Sequence, residues 1–200
     1  MKVKQLIKLY LLAAFFMMVQ PVLLTAQNLY VINDSKSSIS VSGTSTMHDW
    51  TMSLDNFECN VDAVISDDYK LIIHSISFKG ESESLSSDNS LMTSKAHDAL
   101  KVKRHSSINY RFSSLNEIAI QGGTVEGKVN GNISIAGVEK DMVLPFSGEI
   151  DTDYGVSLSG VFNLKMSDFS IKPPTALLGA IRTGDEVKVE YTLYFDGDNF

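Results

Sequence analysis

The segment VEGKVNGNISI, residues 125 to 135, alternates apolar or small residues with polar ones. One face carries, in order, Val125, Gly127, Val129, Gly131, Ile133 and Ile135. A period of two is typical of a β-strand with one buried face. The two glycines on that face predict strand bending or the close approach of another group. This segment is therefore the clearest indication of a β-sheet with a one-sided core.

The same alternation recurs along most of the chain after Gln27. Further segments lie around residues 39–41, 52–65, 71–78, 108–112, 143–150, 156–164 and 187–195, about eight strands in total. A phase break near His74 and Ser75 predicts a β-bulge. Turn-sized connections at residues 136–140 and 151–155 require antiparallel hairpins, because parallel crossovers need about a dozen residues. Such strands must close into a barrel or stack as a sandwich to hide their edges.

One helix interrupts the strands. Residues 91–103, LMTSKAHDALKVK, contain neither glycine nor proline, and Ser90 or Asn89 is suited to cap a helix there. An apolar stripe is formed by Leu91 or Met92 with Ala96, Ala99 and Leu100. We predict a short helix between the third and fourth strands.

A second irregular stretch spans residues 168–183 and contains the pair Pro173-Pro174, which excludes a central strand. Three apolar residues follow, Leu177, Leu178 and Ile181. Two interpretations are open at this point. The loop lines the mouth of a barrel as a portal for a lipid chain, or it packs over one barrel end.

Composition excludes several classes of protein. The 200 residues hold 17 Lys and Arg against 24 Asp and Glu, a net charge of −7, with 44% hydrophobic residues. This balance argues against disorder and against a nucleic-acid-binding surface. The single cysteine, Cys59, precludes an intramolecular disulfide and leaves no thiol cluster for a metal.

The first 26 residues have the layout of a cleavable secretory signal. Lys2, Lys4 and Lys8 precede the apolar run Leu9 to Val19, and Ala26 offers a small residue before a cut. The run is shorter than the roughly 20 residues of a spanning helix, so we expect no stable membrane span. Cleavage leaves residues 27–200 with 14 basic and 24 acidic residues, an acidic domain in the periplasm or outside the cell.

Catalytic and metal motifs are absent from the sequence. His48 and Asp49 are neighbours, but successive side chains of a strand point to opposite faces and pair poorly. The four histidines, including His105, lack metal-ligand spacing, and no Gly-x-Ser-x-Gly or phosphate-binding glycine loop occurs. We therefore expect no enzymatic activity, no metal and no cofactor. A hydrolase or isomerase using His48 or His105 is the least favoured alternative.

The order of these elements resembles the YceI-like family. The resemblance rests on residues 91–101 leading to 107–112, on 129–143, and on 166–171 with 184–189. Residues 102–106, VKRHS, depart from the aromatic and proline-containing loop that is usual in the family. The resemblance implies an exported, lipocalin-like, eight-stranded antiparallel β-barrel that holds a polyisoprenoid or another amphiphile in its lumen.

Candidate ligand-binding residues follow from the inward positions of the alternating segments. They are Tyr110, Phe112, Val129, Ile133, Phe146, Phe162, Tyr191 and Leu193, with Trp50 plugging one barrel end and Leu177, Leu178 and Ile181 at the mouth. The bound partner is expected to be an apolar lipid, quinone-like molecule or isoprenoid. A structural barrel filled by its own aromatic side chains is the alternative. Homodimerisation is compatible with such barrels, although no residue marks an interface.

Overall fold

A computed structural model describes residues 29–65, 71–151 and 155–196. The predicted signal peptide, residues 1–26, lies outside the described residues, as does most of the predicted turn at 151–155. The strands are β1 Leu29–Val31, β2 Ser38–Ser45, β3 Trp50–Leu54, β4 Phe57–Ile65, β5 Leu71–Glu81, β6 Leu85–Ser86, β7 Ser107–Gln121, β8 Thr124–Ile135, β9 Val138–Asp151, β10 Gly155–Lys165, β11 Thr175–Ala176 and β12 Ile181–Phe195. Helix α1 is Ser90–Leu100, and 3-10 turns occupy Ser82–Ser84, Met166–Phe169 and Leu177–Gly179.

The strands form one curled antiparallel sheet, which confirms the predicted fold class. The order is β1-β4-β5-β7-β8-β9-β10-β12-β2-β3-β6, with β11 paired to β12. A bridge between Ile32 and Phe195 connects the chain after β1 to the end of β12. At the β6 edge of the sheet, the 3-10 turn Ser82–Ser84 directly follows β5 and contacts the corner between β3 and β4. There the amide of Asn56 donates a hydrogen bond to Ser84 Oγ at 3.0 Å. The sheet therefore curls round on itself as a barrel.

The predicted number of strands needs correction. The single predicted segment 52–65 is two strands, β3 and β4, separated by Asp55 and Asn56. Both residue types favour turns over strands, and the step from Leu54 to Phe57 breaks the period of two. In the described parts of the chain, nine strands have five or more residues, and three short ones supplement them.

Several local predictions are confirmed. The bulge lies at His74, because Asp62 pairs with Ser75 while the next residue, Ala63, pairs with Ile73. Asn89 caps α1, its Oδ1 accepting the amides of Leu91 at 3.0 Å and Met92 at 3.1 Å. The helix is shorter than predicted, because Lys101 adopts the left-handed conformation with φ 56°.

The two inward glycines of β8 allow the close approach that the sequence predicts. A Cβ at Gly127 would lie 2.5 Å from the Glu117 carbonyl oxygen and 2.7 Å from the Phe146 ring. At Gly131 it would collide with the Tyr110 ring and the Arg111 carbonyl oxygen. The absence of a side chain at each glycine therefore leaves room for the Phe146 and Tyr110 rings to pack closely against β8.

An apolar cavity inside the barrel

The inner face of the sheet encloses a cavity of about 460 Å³. Apolar side chains from almost every long strand form its wall. Besides the predicted residues, they include Ile39, Val41, Met52, Leu54, Cys59, Val61, Phe78, Ile108, Val125, Leu144, Leu158, Leu164 and Val189. This volume lies within the roughly 300 to 1,000 Å³ usual for small-molecule sites.

Strand register explains how distant residues meet on this wall. Cys59 on β4 pairs with Phe78 on β5, Phe78 pairs with Tyr110 on β7, and Tyr110 pairs with Ile133 on β8. Directly paired residues point to the same side of a sheet. Four neighbouring strands therefore contribute one continuous row to the lumen.

The end of the cavity near the β7–β8 hairpin is apolar. There the wall is made by residues such as Ala63, Val125 and Phe195, which are exposed by only 4%, 2% and 3%. Apolar side chains therefore dominate this end of the cavity among the described residues.

The opposite end is the mouth of the cavity. Helix α1 contributes Met92, Ala96, Ala99 and Leu100, the apolar stripe that the sequence predicts. The side chains of His48 and Lys95 line the cavity at this end and are exposed. Lys95 is the one Lys, Arg, Asp or Glu side chain that lines the cavity in the described part of the chain, and it lies at the mouth.

Nine of the twelve predicted binding residues lie on the cavity wall. They are Trp50, Tyr110, Val129, Ile133, Phe146, Phe162, Ile181, Tyr191 and Leu193. Phe112 is half-buried against the core but is not on the wall. Contact with a ligand stays a prediction for all of them.

The other two predicted residues, Leu177 and Leu178, are exposed by 68% and 110%. They form a 3-10 turn with left-handed φ values of 49° and 56°. Ala176 and Ile181, on either side of this turn, line the cavity. The turn therefore projects into solvent beside the mouth, and it does not pack over the barrel end.

Trp50 lies at the mouth, where its Nε1 donates to the Thr44 carbonyl oxygen at 3.1 Å and its ring covers Gly43. The neighbouring His48 is exposed. Its Nδ1 lies 2.6 Å from the backbone oxygen of Asp49. The geometry shows no contact between His48 and the Asp49 carboxylate, as a catalytic dyad would need.

Sequence reasoning missed part of the wall. Neither Cys59 nor Phe78 is among the predicted binding residues, yet both line the cavity. Their register with Tyr110 is the signal that places them, and sequence alternation alone does not supply it. The Cys59 side chain is buried, and this burial raises the pKa of its thiol to about 12.

The lumen favours neutral groups throughout. Burial raises the pKa of the Tyr110 phenol to about 12. The pKa of Tyr191 is raised mainly by burial, with smaller contributions from nearby Tyr110 and Cys59. Among the described residues, no three His, Cys, Asp or Glu side chains could together hold a metal ion. No helix in the same part of the chain is both long and apolar enough to cross a membrane.

Comparisons with known proteins agree on one family and one fold. The YceI-like domain family matches residues 30–195. A comparison with curated protein sequences finds no significant match.

Solved structures with the same fold include BcnA of Burkholderia cenocepacia, at 15% identity and a TM-score of 0.62, covering 82% of this chain and 98% of BcnA. A polyisoprenoid binding domain from Saccharophagus degradans, implicated in plant cell wall breakdown, is 11% identical with a TM-score of 0.65, covering 84% and 97%. The Campylobacter jejuni YCEI protein is 16% identical with a TM-score of 0.59, covering 73% and 84%.

Proposed function

Because this chain belongs to the YceI-like family, we propose that it is an exported, non-enzymatic protein that carries a long apolar amphiphile in its barrel. Polyisoprenoids, quinone-like molecules and fatty lipids are the ligand classes that suit this lumen. The observation that carries the proposal is the apolar cavity of about 460 Å³. The name of the Saccharophagus degradans relative, a polyisoprenoid binding domain, supports the same ligand class.

The size of the cavity sets the length of chain that it holds. With about 30 Å³ for each water-sized group, 460 Å³ accommodates roughly 15 carbon groups, or about three isoprene units. Burying a methylene contributes about 0.8 kcal/mol, which gives roughly 12 kcal/mol for such a chain. Subtracting at least about 4 kcal/mol for lost translational and rotational freedom leaves at most about 8 kcal/mol, so micromolar affinity is the tightest binding expected.

The exposed turn at Leu177 and Leu178 is the proposed entry point. Exposed leucines are costly in water, and these two lie beside the mouth formed by Ala176 and Ile181. A ligand chain leaving a membrane or carrier meets them before it reaches the lumen. This favours the portal interpretation of the loop over a packing role.

We also propose that the protein acts outside the cytoplasm, because residues 1–26 have the layout of a secretory signal. A lipid carrier is needed where apolar molecules must cross an aqueous space. The acidic surface of the mature chain fits a soluble carrier in that compartment.

A structural barrel filled by its own side chains is the competing function. The rings of Tyr110 and Tyr191 pack so closely against Gly131 and Gly160 that a Cβ at either glycine would collide with them, and the lumen still holds a cavity of about 460 Å³. This arrangement favours a ligand-binding lumen over a filled one.

The test is a titration with an isoprenoid quinone in which the quenching of Trp50 fluorescence reports binding. This residue is the only tryptophan, and it lines the cavity. Ala99→Phe places a ring in the lumen from α1, and Ala119→Phe adds the same ring at an exposed position of β7 as a matched control. Light scattering on the same samples identifies a monomer or a homodimer.

We expect micromolar quenching in the unmodified protein and in Ala119→Phe, and at least tenfold weaker binding in Ala99→Phe. Thermal unfolding shows whether each variant is folded. Equal binding by both variants, or no binding by the unmodified protein, would overturn the proposal.

A further inference from the structure

The mouth of the cavity is surrounded by apolar side chains that project into water. Leu177 and Leu178 in the 3-10 turn are exposed by 68% and 110%. Met47, in the loop between β2 and β3, is exposed by 66%, and Leu91, in the first turn of α1, by 55%. These four are the most exposed large hydrophobic side chains in the described part of the chain. We call these four residues the rim.

Hydrogen bonds connect two of the rim segments into one unit. The Thr46 amide donates to the Arg182 carbonyl oxygen at 3.0 Å, and the Arg182 amide donates to Thr46 Oγ1 at 3.2 Å. Thr46 Oγ1 donates in turn to the Ala180 carbonyl oxygen at 3.3 Å. Met47 directly follows Thr46, so the chain holds it beside the turn Leu177–Gly179.

The rim is continuous with the apolar wall of the lumen. Leu91 itself lines the cavity, and so do Ala176 and Ile181, which lie on either side of the turn with the other two leucines. Met47 precedes His48, which lines the cavity at the mouth. An apolar path therefore leads from the inside of the barrel to the exposed rim.

The backbone of the turn is strained, and its two leucines still point into solvent. Leu177 and Leu178 have φ values of 49° and 56°, in the left-handed region that disfavours residues with a Cβ atom. Strain of this kind is concentrated at functional sites. Because Leu178 is fully exposed, packing within the protein does not explain its position. Contact with something outside the protein does.

The charged residues near the rim have both signs. Lys95 on α1 and Arg182 on β12 are exposed, and so is Asp49, in the same loop as Met47. Attraction to an anionic surface is therefore not the main contribution to contact, and burial of the apolar side chains is. Basic side chains beside an inserted apolar group reach the headgroup layer of a bilayer with their charged ends.

We propose that the rim inserts into the surface of a lipid bilayer, so that the mouth of the barrel opens directly onto the apolar layer. The inference rests on the proposed function and adds the route by which the ligand enters. An apolar chain then passes between membrane and lumen without crossing water, where it is poorly soluble. A bilayer suits the rim better than a protein does, because a fluid fills the spaces between side chains from three separate segments and leaves the opening free.

The first test measures whether residue 178 enters a bilayer. Leu178→Cys carries the environment-sensitive fluorophore NBD, and Ile72→Cys with the same label is the matched control. Ile72 is 46% exposed on β5, at the end of that strand remote from α1. The native Cys59 is buried and its thiol pKa is about 12, so it stays unlabelled in the folded protein. Both proteins are mixed with phosphatidylcholine vesicles.

The second test compares two charged variants without a label. Leu178→Glu places a carboxylate in the rim, and Val143→Glu places one at a 48% exposed position on the barrel wall. Vesicle flotation measures binding, and thermal unfolding shows that each variant is folded. Stopped-flow Trp50 fluorescence measures the transfer of an isoprenoid quinone from the same vesicles to each protein.

We expect NBD emission to increase and shift to shorter wavelength at position 178 but not at position 72. Leu178→Glu should weaken vesicle binding on the order of tenfold, the effect of keeping one leucine out of the bilayer, and Val143→Glu by less than about twofold. High salt should change the binding little, because apolar contact is not screened. The rate of quinone transfer should rise with vesicle concentration, as transfer by direct contact requires.

Absence of vesicle binding, equal NBD shifts at the two positions, or equal losses in the two glutamate variants would overturn the inference. So would a transfer rate independent of vesicle concentration, which indicates that the ligand crosses water first. A protein that binds the quinone in the Trp50 titration but does not bind vesicles would refute only the rim as a membrane surface and would favour a protein partner there. Failure of that titration would contradict the proposed function itself, whatever the vesicles show.

Discussion

Replacing Tyr191 by phenylalanine should loosen the sheet at one defined place. The β9–β10 ladder ends where Ser147 pairs with Ser159, so the Pro145 carbonyl lies beyond it. Tyr191 of β12 reaches across Gly160 of β10, and its hydroxyl donates to Pro145 O at 2.7 Å. This side-chain bond thus replaces a missing ladder bond and connects β12 to β9.

The expected loss follows from that geometry. A hydrogen bond contributes about 1 kcal/mol net, and leaving a buried acceptor unpaired adds a penalty of about 1 to 3 kcal/mol. Tyr191 is only half-buried, so we expect the lower end, about 1 to 2 kcal/mol. For a chain of this size that lowers Tm by roughly 2 to 8 °C.

The assay is calorimetric or circular-dichroism melting of ligand-free protein, with Tyr110→Phe as the matched comparison. The buried Tyr110 hydroxyl has no hydrogen-bond partner, so removing it should leave the protein equally stable or stabilise it, by up to about 1 to 3 kcal/mol. Equal destabilisation by the two substitutions, or an unchanged Tm for Tyr191→Phe, would refute the reasoning.

Three further predictions concern the lumen, the portal and the mouth. With a thiol pKa of about 12, Cys59 is thiolate in roughly one molecule in ten thousand at pH 8. Iodoacetamide should therefore modify the unfolded protein but not the folded protein, and mass spectrometry detects the adduct. Leu178→Glu should leave Tm unchanged within experimental error, because the Leu178 side chain is fully exposed. The same substitution should slow ligand uptake measured by stopped-flow Trp50 fluorescence. A large fall in Tm would contradict the interpretation of this loop as a portal. Hydrogen bonds from the side chain and the amide of Ser167 hold the pKa of Asp185 below its usual value. The stabilising effect of the Asp185 carboxylate is therefore present above about pH 3.9 and is lost as the pH falls through the lower pKa of the folded protein. An NMR titration of the Ser167 amide should show a midpoint below about pH 3.9, and a midpoint at or above that pH would contradict this prediction.

Much of the fold was predictable because local chemistry determines it. Alternation in β8 gives a strand with one buried face, Asn89 supplies a helix cap, and the phase break at His74 marks a bulge. The corner at Asp55 and Asn56 was not predicted, since apolar residues continue on both sides of it. A break of this kind becomes visible only when pairing partners are known.

The cavity wall was less predictable than the fold. Period two places alternate residues on opposite faces but does not determine which neighbours they meet, so Cys59 and Phe78 were missed. Phe112 shows the reverse case, because it shares the alternation of Tyr110 yet does not reach the cavity. The unpartnered hydroxyl of Tyr110 depends on atoms from several strands and has no signature in the sequence.

The most direct test of the account is mass spectrometry of an organic extract from protein purified gently from a bacterial periplasm. We predict a stoichiometric isoprenoid, quinone or fatty-acyl molecule. Finding no bound molecule, together with no thermal shift on adding quinones or polyprenols, would contradict a ligand-carrying lumen and favour a structural barrel.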